Sequence, residues 1–297
     1  MAVNEEKYRI ADKIYQEIFS NIESQNIIVF LCGGASKKDK KSIRDRVRAS
    51  IEQDKKRYYR SKPLKIFYPE DLLVEILNQT KDADLLSYER FLANNSDVIA
   101  IICESPGALV ELGAFTNNDH TVDKVIAAVE KKKVKDKSFI MLGPIKYLKQ
   151  KNKYSFIEYD NDTEKFAGEL SRRIREKVRN EYNDKLDVDT IVGLHYYIQV
   201  LLYFYKKLGY NDLTDLTGRV VGKGNAYKRE LYSAALKLLF KDKQITKVTV
   251  DGKSHYELTL DGYVRIEVLI SGCTKRGDRD KIRIELMKEM LYDSSRF

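Results

Sequence analysis

"VIAIICESPGALVELGAFTNN" runs from Val98 to Asn118. Its opening run, Val98–Ile102, is apolar without a break, the pattern of a strand buried on both faces. A turn through "ESPG" follows, and then apolar residues at helical spacing. One residue interrupts that frame: Glu111 stands among Leu109, Val110, Leu112, Ala114 and Phe115. A buried carboxylate without a partner costs several kcal/mol, on the order of the net stability of a domain. Something must compensate, and a bound substrate is one candidate. The alternative is an acid near a helix start, facing the helix dipole.

Outward from this stretch the pattern repeats. "NIIVFLCGG", Asn26–Gly34, is an apolar strand ending in paired glycines, and "SKKDKKSIRDRVRASIEQDKKRYY" after it has helical spacing at Ile43, Val47 and Ile51. "LKIFYPEDLL", Leu64–Leu73, is a strand stopped by Pro69. Residues 71–78 and 84–94 read as helices. "KVIAAVE", Lys124–Glu130, and "YSFIEY", Tyr154–Tyr159, are two more strands, and 162–181 is a helix. Alternating strands and helices with continuous apolar strands predict an α/β fold with a parallel sheet covered on both faces. Residues 5–24 form an amphipathic helix ahead of it.

Near Asp184 the pattern changes. "DVDTIVGLHYYIQVLLYFYKKLGY" is a long apolar helix, "DLTDLTGRV" a short one, and "NAYKRELYSAALKLLFKDKQI" a basic one. "KVTVDGKSHYELTLDGY" places two alternating strands around Asp251–Gly252, a hairpin signal. Helix, short helix, basic helix and hairpin is the order of a winged helix-turn-helix, whose basic helix enters a groove. The alternative is a helical interaction domain without nucleic acid. The boundaries expected are 1–25 for the N-terminal helix, 26–185 for the α/β domain and 186–297 for the winged-helix domain.

The chain has 297 residues, 43% hydrophobic and 33% charged, with net charge +9. That is a globular composition, and no run approaches the ~20 apolar residues of a membrane span. The N-terminus lacks a signal-peptide core, and Cys32, Cys103 and Cys273 are odd in number and widely spaced, so reduced thiols and a cytoplasmic location are expected. No spacing supports a metal site. The positive charge is concentrated. Lys37–Lys62 holds twelve Lys/Arg against four Asp/Glu, and Arg219–Val250 eight against two. Both runs carry tyrosines, and a polyanionic partner follows. Lys37, Lys38, Arg44 and Arg48 in the first run and Lys223, Lys228, Arg229 and Lys237 in the second are the expected nucleic-acid contacts.

Ligands of a parallel α/β sheet sit outside the carboxyl ends of the strands. Three ends carry unusual residues here: Gly33–Gly34, "FYPED" with Tyr68, Glu70 and Asp71, and "ESPG" with Ser105, Pro106 and Gly107. No Walker loop and no Ser–His pair stands out, which leaves carboxylates. A glutamate among apolar residues can attack an anomeric carbon, and a second acid can protonate the leaving base.

These residues resemble a known family. "VFLCGG", "IFYPEDLL" and "LLSYERFLANNSDVIAIICESPGALVELGAFTNN" look like the nucleoside deoxyribosyltransferase-like effectors of bacterial retrons, densely over Ile27–Asn118 and by architecture beyond. The resemblance implies a flavodoxin/Rossmann-like domain followed by a winged helix. It implies that Glu111 is the nucleophile, that Glu89 handles base and sugar, and that Gly33, Gly34, Tyr68, Glu70, Asp71, Ser105, Pro106, Gly107 and Asn117 line the substrate. The transferases carry an aspartate where this chain has Ser105 and a tyrosine where it has Phe30 or Leu31. Those departures point away from deoxynucleoside exchange and towards a larger substrate with water as acceptor. The resemblance also implies antiphage defence, with the N-glycosidic bond of NAD⁺ or a related nucleotide as the target and no cofactor. The implied partners are a reverse transcriptase and its branched RNA–DNA (msDNA with msrRNA), which hold the effector silent, and a further copy of the chain is a possible one. A nucleotide-sensing, nucleic-acid-binding module without catalysis is the second reading.

Overall fold

The computed structural model describes residues 2–36, 41–53, 61–70, 91–92, 94–179, 185–221, 228–250 and 252–294. Contacts divide the chain into two units, Gln25–Asn183 and a discontinuous one made of Met1–Ser24 with Asp184–Phe297.

The first unit holds a five-stranded parallel sheet of β1 (Ile27–Cys32), β2 (Leu64–Phe67), β3 (Val98–Ile102), β4 (Val125–Glu130) and β5 (Phe156–Tyr159), in the order β2-β1-β3-β4-β5. All of β1 and β3 is buried, as their unbroken apolar runs require. The period-2 alternation splits each strand between two layers. Ile27, Val29, Leu31, Val98, Ala100 and Ile102 face one core with Val47 of α2 (Ile43–Gln53) and Phe166, Leu170 and Ile174 of a later helix, Thr163–Val178. The other face is covered by α3 (Pro106–Thr116) and by a helical segment, Met141–Lys151, that the sequence reading left unassigned. The strand order reverses between β1 and β3. Such a switch point opens a crevice at the strand ends, where doubly wound folds bind ligands. The expected helices over 71–78 and most of 84–94 lie outside the described residues.

In the second unit α1 (Ala2–Lys13) continues through a π turn and a 3₁₀ turn to Asn21. The central helix, Ile191–Tyr205, is buried almost all round, with Tyr197 and Tyr203 among its fully buried side chains. It ends at Lys206, whose φ of 67° turns the chain out of the helix into a short strand, Lys207–Gly209, that the sequence reading had merged with the helix. Helices Tyr210–Val220 and Lys228–Lys241 follow, then the expected hairpin, Ile245–Val250 with Lys253–Leu258, paired antiparallel with the short strand at one edge. Helices Leu260–Cys273 and Arg276–Ser294 close the unit. The N-terminal helix packs here: Lys13 pairs with Glu285 at 2.6 Å and Lys7 with Asp212 at 2.6 Å. An antiparallel bridge joins Glu23 to Lys185, at the points where the chain leaves this unit and returns to it. Among the described residues no helix is long and apolar enough to cross a membrane.

Candidate active site

The site is assembled from the ends of β1 and β3. β3 stops at Ile102 because the chain turns at Cys103–Glu104, and Ser105 then starts α3. Ser105 Oγ accepts from the Ala108 N–H at 3.2 Å and Pro106 occupies the first helical turn, a strong N-terminal signal. In α3 the residues Ala108, Leu112 and Phe115 are buried on the sheet side. Glu111 flanks this stripe and is half-buried. The Cys32 thiol, at the end of β1, lies beside the Glu111 carboxyl.

Burial, and after it the nearby Glu70 carboxylate, push the Glu111 carboxyl up to about 7, against the opposing pull of Arg44 and the adjacent Cys32 thiol. Burial raises the Cys32 thiol well above its ordinary range, and Glu111 raises it further, so this thiol stays protonated. Glu111 is therefore a carboxyl poised near neutrality, the condition of a group that exchanges roles during a reaction.

Arg44 organises the other acids. It is 5% exposed, and its Nη1 donates to Glu70 Oε1 at 2.5 Å. Its guanidinium lies 4.1 Å from the centre of the Tyr68 ring, which Arg48 also approaches at 4.5 Å. The Tyr68 hydroxyl donates to Asp45 Oδ1 at 2.6 Å. Burial and that hydrogen bond raise it to about 12. Glu104 closes the group: its Oε1 accepts from the Gly34 N–H at 3.2 Å and from the Arg44 N–H at 3.4 Å.

The structure thus brings together Gly33, Gly34, Tyr68, Glu70, Ser105 and Glu111 from the expected set. Pro106, Gly107 and Asn117 are exposed at the ends of α3. Asp71 and Glu89 lie outside the described residues, as do Lys37, Lys38, Lys223 and the side chain of Lys228. Arg44 is corrected. Expected as a nucleic-acid contact, it is buried in the acid site, with no face left for a phosphate backbone. Arg48 is half-buried over Tyr68 and donates to Glu52 at 2.8 Å. Arg229 and Lys237 are exposed on their helix, as expected.

Sequence reasoning missed Cys32 and Glu104. Cys32 carried a signal in its place directly before the glycine pair. Glu104 was quoted only as part of "ESPG", because nothing local shows that its carboxylate reaches back to β1. A groove of about 680 Å³ runs beside β5, lined by Phe156, Tyr159, Lys165 and Arg172, and involves none of the acid-site residues. Among the described residues no cluster of His, Cys, Asp or Glu could hold a metal ion.

Known proteins are similar to this chain in sequence. The profile of the STM3845 retron effector protein family matches residues 40–247, more than half of the chain. A protein of retron Ec86 of Escherichia coli, named as a candidate ribosyltransferase/DNA-binding protein, is 26% identical over 96% of this chain and 92% of its own length. A protein of retron Ec73 of Escherichia coli with the same designation is 26% identical over 68% of this chain and 69% of its own. The acid site at the switch point and the hairpin-bearing second unit both fall within the region matched at 96% coverage, and the chain belongs to the STM3845 retron effector family.

Proposed function

We propose that the chain is the toxic effector of a retron antiphage system and breaks the N-glycosidic bond of NAD⁺ or a related nucleotide. The observation that carries this reading is Glu111, a half-buried carboxyl raised to about 7 at the β1/β3 switch point. As a carboxylate it attacks C1′ of the sugar, the C1′–N bond breaks, and the bonding pair leaves with the base. Water then hydrolyses the glycosyl ester, freeing the sugar and restoring the acid. A pyridinium base leaves as a neutral molecule and needs no proton, so this route asks less of a general acid than a neutral nucleoside does. Glu70, held by Arg44, supports the positive charge that develops at the sugar. The ribosyltransferase part of the relatives' designation supports the bond type.

The test is incubation of the purified chain with a nucleotide panel, with released bases read by mass spectrometry. Release of nicotinamide or another base is expected. A ligand bound but never cleaved would favour the sensing module instead.

The pH dependence follows from the sign of the shift. The nucleophile is the carboxylate, so base release should rise with pH through a single ionisation near 7 and level off above it. Glu70→Gln removes a negative neighbour, lowers the Glu111 ionisation and moves the rise to lower pH. An unmoved profile in that variant would disconnect the two acids.

The second unit, read as a winged helix, grips the branched RNA–DNA and the reverse transcriptase that keep the effector silent. The exposed Arg229 and Lys237 on the basic helix, and Lys247 and Lys253 on the hairpin, support this. Arg229→Glu with Lys237→Glu should weaken binding to duplex nucleic acid by about tenfold or more at low salt and flatten the salt dependence. Filter binding across a salt series checks both, and an unchanged slope would remove this helix from the interface.

A further inference from the structure

We propose that the lysine-rich stretch of the α/β unit, Lys131–Lys153, is a docking surface for single-stranded nucleic acid. It is a different surface from the basic helix of the second unit. The stretch holds nine lysines against one acid, Asp136, and all nine lysines are exposed. Neither of the basic runs counted from the sequence is so one-sided. It opens with a short helical turn, Lys131–Val134, directly after β4, and continues through the helical segment Met141–Lys151. Three of the lysines meet acids from outside the stretch: Lys131 pairs with Asp160 at 2.8 Å, Lys132 with Glu130 at 2.7 Å and Lys151 with Asp123 at 2.9 Å. Pairs this exposed contribute little and yield readily to another anion. Lys133, Lys135, Lys137 and Lys146 have no ion pair among the described residues. A surface that gathers like charges without neutralising them suits a polyanion.

A lysine run alone is often no more than a solvated face. A second observation sets this one apart. Phe139 is 87% exposed, Leu142 60% and Tyr147 47%, all on or beside the same helical segment. Large apolar side chains rarely stand in water together unless a partner covers them. The fold does not need them outside, since Ile145 and Leu148 of the same segment are fully buried and anchor it. Lys151 Nζ lies 6.0 Å from the centre of the Tyr147 ring, so ring and cation share one place.

This combination selects among polyanions. A lipid surface is met by a continuous apolar stripe, and here the stripe is turned inward, leaving two rings and a leucine spaced among cations. A duplex offers phosphates but no free base faces. A single strand offers both, with phosphates for the ammonium groups and unpaired bases for the ring faces. Met141–Lys151 is about 16 Å long at 1.5 Å per residue. That length carries about five nucleotides at 3.4 Å each.

The test is fluorescence anisotropy with a labelled oligothymidylate, an oligouridylate of the same length and a DNA duplex, each titrated with the full chain across a salt series. DNA and RNA share the chemistry argued above, and the first two probes tell them apart. The series is run in the parent and in a background carrying Arg229→Glu and Lys237→Glu, so that failure of the second unit's interface is read separately. In that background Lys135→Glu, Lys137→Glu and Lys146→Glu together should weaken single-strand binding at least about tenfold at low salt and flatten its salt dependence. The corresponding Gln substitutions should act in the same direction and serve where charge reversal impairs folding. Phe139→Ala with Tyr147→Ala leaves the charge unchanged. It should weaken single-strand binding about fivefold or more and duplex binding by less than about twofold. Unchanged single-strand binding in either set would overturn the proposal. So would a background that binds neither oligonucleotide, and if it then bound phosphatidylglycerol vesicles the face would belong to a lipid surface instead.

Discussion

Under the proposed reaction, Glu111→Gln should stop base release, lowering the rate on the order of 10³-fold or more, with folding and any nucleic-acid binding left unchanged. The amide keeps the shape of the side chain beside Cys32, but it cannot attack C1′. Substrate affinity should change far less than the rate, because the lost interaction forms as the glycosidic bond breaks. Single-turnover assays separate the two. If the variant consumed nucleotide at the parental rate, the catalytic role of Glu111 would be lost.

The same substitution has a stability consequence of opposite sign. Glu111 ionises near 4.5 in the unfolded chain and near 7 in the folded protein, so the folded state holds its proton over a wider range. The stability this contributes is fully present below pH 4.5 and is lost as pH rises through 7. At pH 8 the parent therefore carries a penalty that the Gln variant lacks, about 1–3 kcal/mol when discounted for the half-buried position. Urea unfolding should show the variant more stable at pH 8 and equal to the parent near pH 4.5. A buried acid that weakens the fold where it is ionised is expected of a functional group, not a structural one.

Gly193→Ala should be the most damaging single methyl group in the second unit. The position of its Cβ falls 1.8 Å from the Asp187 carbonyl oxygen and 2.4 Å from the carbonyl carbon. Both belong to backbone, so neither can swing aside. The clash sits where Thr190 caps the central helix: Thr190 Oγ1 accepts from the Gly193 N–H at 3.0 Å, and the Thr190 N–H donates to Asp187 O at 3.0 Å. Relief requires moving the turn, losing the cap and disturbing a helix whose residues are nearly all buried. A loss of about 3 kcal/mol or more is expected. Gly218 is the contrast, since a Cβ there meets nothing within 4 Å on an ordinary helix. Gly218→Ala should stabilise by about 0.5–1 kcal/mol. Urea midpoints for the two variants check both signs.

The parts of the fold that could be read in advance were those where one local rule dominates. β1 and β3 are continuous apolar runs, and only a sheet covered on both sides buries such a run completely. Glu111 was visible because it broke an apolar frame. Arg44 was misplaced because its neighbours in the chain are mostly basic, and charge density along the chain says nothing of which arginine turns inward. Its burial is decided by Glu70 and Tyr68, about 25 residues later. Glu104 needed knowledge of the β1–β3 pairing, since its partner Gly34 is 70 positions away. The strand after Lys206 was hidden by its brevity and by a positive φ at a residue that seldom adopts one.

The Glu23–Lys185 bridge gives the chain the layout of a host with a guest. The α/β unit departs and rejoins through two points that lie side by side, about 5 Å apart as in any paired strand. Evolution can exchange or lose such a guest without rethreading the host. Replacing residues 25–183 by a short glycine-rich loop should leave a miniature protein of α1 and the C-terminal helices that folds by itself and, under the proposed function, binds nucleic acid without releasing any base.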